Sequence, residues 1–209
     1  MNTLNMIKDF NKEKPNFIER KLIWKSVRLF PLSDFGEATK LFMEKLSETH
    51  CNGGVQIHKY KIERNEHFEW FAERNLLGEI SFVKNIITHA DLTNYRKDLE
   101  IKIDKLTFRK FSEVRRYWGD SDIFTLPGEL ARVLAQGGAY KKTHPYLAWE
   151  LAKNFIEEAY QNRFDEVISF DTEIIPVSEW FYNVAWDYSK ILFDKRNYEI
   201  MFIDITDTD

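Results

Sequence analysis

Hydrophobic periodicity is clearest in the last thirty residues of the chain. From position 180 to position 188 the even positions carry Trp, Tyr, Val, Trp and Tyr, which is the two-residue period of a β-strand. A second apolar run covers 198–205, after a polar turn. We predict an antiparallel hairpin with strands at about 185–193 and 198–205. Both faces of each strand carry apolar residues, so we expect the hairpin to lie inside a sheet and not at its edge.

The polar turn fits two registers of this hairpin. A two-residue loop would place Asp187 opposite Asp204, and like charges in that position cost up to about 1 kcal/mol. A three-residue loop, with Asn197 in the left-handed conformation that Asn tolerates, would pair Asp194 with Tyr198. We favour the three-residue loop because it separates an aromatic face from a mixed one.

Helical patterns flank this hairpin on its N-terminal side. Apolar residues at helical spacing over 38–46 predict a helix, which a capping box of Asp34 and Glu37 would open. Pro127 and Pro145 suit the first turns of two later helices. Strand patterns occur at 55–62, 80–82, 99–103 and 167–170, and a further helical spacing runs from 108 to 118. These elements predict one α+β domain, 1–209, with an antiparallel sheet covered by helices.

Bulk composition narrows the class of protein. The chain has 209 residues, a net charge of −4 and one cysteine, Cys51, so no disulfide can form within it. The first residues lack the pattern of a signal peptide, and no apolar run approaches the length of a membrane span. No zinc-ligand spacing or catalytic motif is recognisable. We therefore expect a cytoplasmic protein without a cofactor, and we favour a non-enzymatic role.

Charge is distributed unevenly along the chain. Residues 163–209 hold four basic and eleven acidic residues, a net charge of −7, and they are rich in Trp and Tyr. Acidic residues steer a basic partner, and aromatic side chains anchor it. We therefore predict a protein-binding module, with an immunity- or antitoxin-type inhibitor of a basic toxin as one form. The predicted contact residues are Trp180, Tyr182, Asp187, Asp204 and Asp207. The simpler interpretation is that these charges only solvate a surface.

The same aspartates support an alternative function. Asp187, Asp204, Asp207 and Asp209 would form an oxygen-rich cluster if they gathered at one end of the hairpin. A divalent metal held there would activate water, which defines the alternative hypothesis of a metal-dependent hydrolase. Solvated strand ends and a frayed tail explain the same residues without a metal.

Two segments have features of anion-binding surfaces. The first thirty residues carry a net charge of +4 with interleaved aromatic residues, which is typical of a nucleic-acid face or of an amphipathic helix. The overall acidic charge argues against nucleic acid. Gly137 and Gly138, followed by Lys141 and Lys142, resemble a loop that holds an anion, but the spacing of a phosphate-binding loop is missing. The end of a helix explains these glycines without any ligand, and we favour that interpretation.

Overall fold

A computed structural model describes residues 13–107, 123–161 and 163–209. Its five strands are β1 (Leu29–Leu32), β2 (Gly54–Ile62), β3 (Val167–Asp171), β4 (Tyr188–Asp194) and β5 (Glu199–Thr206). Its seven α-helices are α1 (Phe17–Ser26), α2 (Glu37–Thr49), α3 (Glu66–Glu73), α4 (Phe82–Ile87), α5 (Thr93–Asp98), α6 (Leu126–Gln136) and α7 (Pro145–Tyr160). None of the helices in these ranges combines the length and the hydropathy needed to cross a membrane.

The strands form one antiparallel sheet in the order β1-β2-β5-β4-β3. The α+β class and the antiparallel sheet with a C-terminal hairpin are therefore confirmed. Both β4 and β5 have a neighbour on each side, as their apolar faces predict. The last strand of the chain is thus the central strand of the sheet.

The register of the β4–β5 hairpin differs from both predictions. Asp194 pairs with Glu199, so the loop has four residues. The buried Asp194 carboxylate accepts hydrogen bonds from the backbone N–H groups of Arg196 and Asn197, at 2.9 and 3.1 Å. Tyr198 then closes the loop with a positive φ of 52°. A side chain that bonds to the turn backbone selects this longer loop over the tighter alternatives.

The observed register removes the predicted clash between like charges. Asp204 lies opposite Ser189, and not opposite Asp187. The first strand also begins later than predicted, at Tyr188, so residues 185–187 lie outside it. The three-residue loop was favoured because it placed aromatic residues on one face of the hairpin. That face does not form as predicted, because Tyr188 pairs with Ile205.

Helices cover both faces of the sheet. Ile200 and Phe202 of β5 belong to one buried cluster, which also contains residues of α1, α3, α4 and α5. Met201, Ile203 and Ile205 alternate with them and belong to a second cluster with residues of α2, α6 and α7. Because β5 is apolar on both faces, it joins the two cores of the molecule.

Two predicted strands are wrong. The 80–82 segment ends a 3₁₀ turn and begins α4, and Phe82 packs into an aromatic cluster with Phe68 and Phe193. In the 99–103 segment only Ile101 makes an isolated bridge. Both patterns were short, so packing against the sheet decided their conformation. The strands predicted at 55–62 and 167–170 and the helices at 38–46 and after both prolines are confirmed. The predicted helix at 108–118 lies outside the described residues.

The start of α2 is capped from another helix, and the predicted capping box is wrong. Gly36 is the residue before the first turn and has no side chain to offer. Glu158 of α7 instead accepts hydrogen bonds from the N–H groups of Ala38 and Thr39, at 2.8 and 2.9 Å. Burial raises the pKa of Glu158, but these hydrogen bonds outweigh it, so its pKa lies below the ordinary value. A tertiary contact thus replaces the local cap.

Candidate functional site

An exposed loop precedes β4, and we call residues 180–187 the aromatic loop. Phe181 is buried, and its ring lies edge-on to Trp180 with centroids 4.8 Å apart. Tyr182 is 49% exposed and Val184 is 39% exposed. Asn183 between them has a φ of 57°, which Asn tolerates. The loop is therefore anchored by two aromatic rings while Tyr182 and Val184 face solvent.

Asp187 holds the aromatic loop against the sheet. Its Oδ2 atom accepts a hydrogen bond from the Val184 N–H at 3.0 Å. Its Oδ1 atom accepts one from the Thr206 hydroxyl at 2.6 Å, at the end of β5. Because one carboxylate binds the loop backbone and the central strand, the position of Tyr182 and Val184 is tied to the core.

A cavity of about 360 Å³ opens beside the aromatic loop, and we call it the acidic cavity. It is lined by Asp171, Thr172, Glu173, Ile175, Pro176, Asp187, Tyr188, Ser189 and Lys190. The Lys190 ammonium lies 3.2 Å from Glu129 and 3.3 Å from Asp171. Lys190 is thus neutralised by two carboxylates, and the lining as a whole remains negative.

A buried hydroxyl chain leads from the acidic cavity to Asp204. The Thr172 hydroxyl donates to the Ser189 hydroxyl at 2.6 Å, and Ser189 donates to Asp204 Oδ1 at 2.5 Å. Thr172 and Ser189 also line the cavity. Asp204 itself is fully buried on the central strand. Asp204 Oδ2 and the Tyr95 hydroxyl have no partner of standard hydrogen-bond geometry in the part of the chain that the structure describes.

Burial controls the ionisation of this network. It raises the pKa of Asp204 to about 7, and the nearby hydroxyls of Ser189 and Tyr95 act in the opposite direction. Burial and the charge of Asp204 raise the pKa of Tyr95 well above its usual value. Burial lowers the pKa of His58, whose ring lies edge-on to Tyr95 with centroids 5.2 Å apart. In the described ranges the side chain of Ser189 hydrogen-bonds to Thr172 and to Asp204.

Asp207 is also buried, and it binds backbone amides. Its Oδ1 atom accepts hydrogen bonds from the N–H groups of Asn52 and Gly53, at 2.8 and 3.1 Å. Its Oδ2 atom accepts one from the Ala139 N–H at 2.7 Å. A side chain on Gly138 would overlap this carboxylate. Gly137 ends α6, as the favoured interpretation predicts, and the loop that resembles an anion-binding loop holds a carboxylate of the chain itself.

The five predicted contact residues occupy two environments. Trp180, Tyr182 and Asp187 belong to the aromatic loop, and Tyr182 is the most exposed of them. Asp204 and Asp207 are fully buried, and their carboxylates serve internal hydrogen bonds. Because both carboxylates are buried in this fold, a docking partner cannot contact them.

The C-terminal aspartates do not gather. Asp187 binds the loop, Asp204 binds Ser189 and Asp207 binds backbone amides. Among the described residues, which include all four of these aspartates, no group of three or more acidic, histidine or cysteine side chains has the arrangement to hold a metal. The described residues therefore contain no ligand cluster that would support the hypothesis of a metal-dependent hydrolase.

The basic N-terminal segment is partly described. α1 begins with a capping box of Asn16 and Glu19, and the Trp24 indole donates to the Ile80 carbonyl at 2.8 Å. The Lys21 ammonium lies 4.2 Å from the centre of the Phe17 ring. The segment is a helix as predicted, but Ile23 is its only fully buried residue and Phe17, Ile18 and Leu22 are exposed, so the amphipathic pattern is weak.

Three residues of the candidate site were not predicted from the sequence. Thr172 and Ser189 connect the acidic cavity to Asp204, and Tyr95 reaches the network from α5. None of the three carried a signal in the sequence, because neither predicted register places Ser189 opposite Asp204. No family model, curated protein or solved structure matches the chain.

Proposed function

We propose that the protein is a non-enzymatic binding module that receives a basic segment of a partner protein at its C-terminal face. The binding face consists of the aromatic loop and the acidic cavity. An inhibitor of the immunity or antitoxin type, which neutralises a basic toxin, is one form that such a module takes.

The observation that supports this proposal most is the position of an acidic cavity beside anchored, exposed apolar side chains. Tyr182 and Val184 stand in solvent on a loop whose neighbouring rings are packed. Asp171, whose side chain is 76% exposed, and Glu173 line the cavity next to this loop. Interfaces combine such aromatic anchors with a charged rim, which steers the partner and sets its orientation.

The chemistry of the cavity defines the partner. Its volume of about 360 Å³ admits one long side chain or a short run of backbone. A lysine or arginine at the entrance would meet Asp171 and Glu173, and an apolar neighbour would pack on Tyr182. We therefore expect a basic segment that also contains an aromatic or aliphatic residue.

The test selects peptides from a random library against the intact chain and measures their binding by fluorescence anisotropy. We expect enrichment of Lys and Arg beside apolar residues. Tyr182→Ala and the double variant Asp171→Asn, Glu173→Gln should each weaken binding at least about fivefold, since anchor residues contribute 1 kcal/mol or more. Tyr146→Ala, which removes another exposed tyrosine, on α7, is the control.

Two results would contradict the proposal. One is a selection without enrichment of basic residues. The other is binding that Tyr146→Ala weakens as much as Tyr182→Ala, because the peptides would then bind elsewhere. Circular dichroism of each variant separates lost binding from lost folding.

A further inference from the structure

A second surface of exposed aromatic and basic side chains lies at the start of α7 and on the segment that precedes it. We call Tyr140, Lys141, Lys142, Tyr146 and Trp149 the α7 patch. Tyr140 is 67% exposed, Tyr146 is 69% exposed and Trp149 is 45% exposed. Tyr146 and Trp149 are three residues apart on one helix, so their side chains are neighbours on the same side of it. Large aromatic side chains with this exposure form a contact surface that the fold itself does not use.

The backbone that carries the α7 patch is held in place. Gly137 ends α6 with a φ of 63° and donates its N–H to Val133 at 2.9 Å. The Ala139 N–H is bound by Asp207 at 2.7 Å. At the start of α7 the His144 ring accepts a hydrogen bond from the Tyr146 N–H at 3.3 Å. Exposed rings on a fixed backbone lose little conformational entropy on binding a ligand.

The α7 patch is locally basic, although the chain is acidic as a whole. Residues 137–153 contain three lysines and one carboxylate, Glu150. Lys153 is ion-paired with Glu157, and the buried Asp207 carboxylate binds the Ala139 N–H, so the basic character depends on Lys141 and Lys142. Lys141 and Lys142 are exposed, and neither forms an ion pair with a described residue. Their charges are therefore available to an anionic ligand.

We propose that the α7 patch binds single-stranded nucleic acid. Two bases would stack on Tyr146 and Trp149, and Lys141 and Lys142 would contact two phosphates of the same strand. Stacking needs an exposed ring and no enclosing pocket, and together with adjacent cations it is the usual mode of sequence-independent single-strand binding. The net charge of −4 still opposes general affinity for nucleic acid, so the inference concerns this patch alone.

The test is a titration of a fluorescently labelled oligothymidylate of about 12 nucleotides with the intact chain, followed by anisotropy. We expect binding at about 50 mM salt that weakens toward 200 mM, with a slope of log K against log salt of about −1.4 for two phosphate contacts. Tyr146→Ala and Trp149→Ala should each weaken binding at least about fivefold. Trp149→Phe should retain most of the affinity, and Tyr182→Ala, in the other binding face, should leave it unchanged.

Three results would overturn this inference. The first is no binding at about 50 mM salt. The second is that polyglutamate competes as strongly as unlabelled oligothymidylate while Tyr146→Ala and Trp149→Ala have no effect. That pattern would indicate a surface for an acidic protein. The third is equal weakening by Tyr182→Ala. Circular dichroism confirms that each variant is folded, so none of these results reflects unfolding.

Discussion

Removing the Asp207 carboxylate should destabilise the protein without touching its hydrophobic core. In Asp207→Ala the N–H groups of Asn52, Gly53 and Ala139 lose their acceptor, at present 2.8, 3.1 and 2.7 Å away. A hydrogen bond to a charged group contributes about 1.5–3 kcal/mol. Water replaces part of this at Asn52 and Gly53, which are exposed. We therefore expect a loss of about 3 kcal/mol in the free energy of unfolding.

Urea unfolding of the wild type and Asp207→Ala measures this loss, with Asp209→Ala as the matched control. Asp209 is exposed, and its removal should change the free energy of unfolding by less than about 0.5 kcal/mol. Amide exchange adds a local measurement, since the Ala139 N–H should exchange faster in Asp207→Ala. If Asp207→Ala unfolded at the same urea concentration as Asp209→Ala, the role assigned to this carboxylate would be wrong.

Three further variants test other buried contacts. The pKa of Asp204 in the folded protein is about 7, above its unfolded value. As the pH rises from about 4 to 7, the wild type should therefore lose up to about 4 kcal/mol of stability, and Asp204→Asn should not show this loss. Urea titrations in which both proteins depended equally on pH would contradict this. The pKa of Glu158 is lowered, so its contribution to the free energy of unfolding is present above about pH 4 and disappears below it. Glu158→Gln should cost about 1 kcal/mol at neutral pH, and Glu157→Gln almost nothing. Equal unfolding midpoints for the two variants would refute the role of Glu158 as a helix cap. Gly138→Ala overlaps Asp207 and should lower the thermal midpoint by several degrees, so an unchanged midpoint in a thermal scan would count against the tight fit.

The sequence was most informative about β5. Its residues are apolar on both faces, and only a strand with a neighbour on each side and a core on each face buries them all. Its register could not be predicted, because the loop length depends on hydrogen bonds that N–H groups of the turn donate to the Asp194 carboxylate. From the sequence, Asp194 is expected only to end a strand. In the structure its carboxylate also accepts two hydrogen bonds from Arg163, at 2.8 and 2.7 Å.

The aromatic loop shows why periodicity overestimated the first strand. Alternating Trp, Tyr and Val residues from 180 to 188 have the period of a strand, but Trp180 and Phe181 turn inward and Tyr182 turns outward without a neighbouring strand. The candidate site was predictable only in part, because its residues come from separate parts of the sequence. Asp204 stands out as a polar residue in an apolar run, yet its neighbour Tyr95 is brought to it by tertiary packing.

The most direct test of the proposed binding function is an amide chemical-shift titration of the labelled intact chain with a selected basic peptide. We predict that the largest shifts fall in 171–176 and 180–190, which form the acidic cavity and the aromatic loop. Shifts concentrated on α7, or spread evenly over the surface, would show that the C-terminal face is not where a basic partner binds.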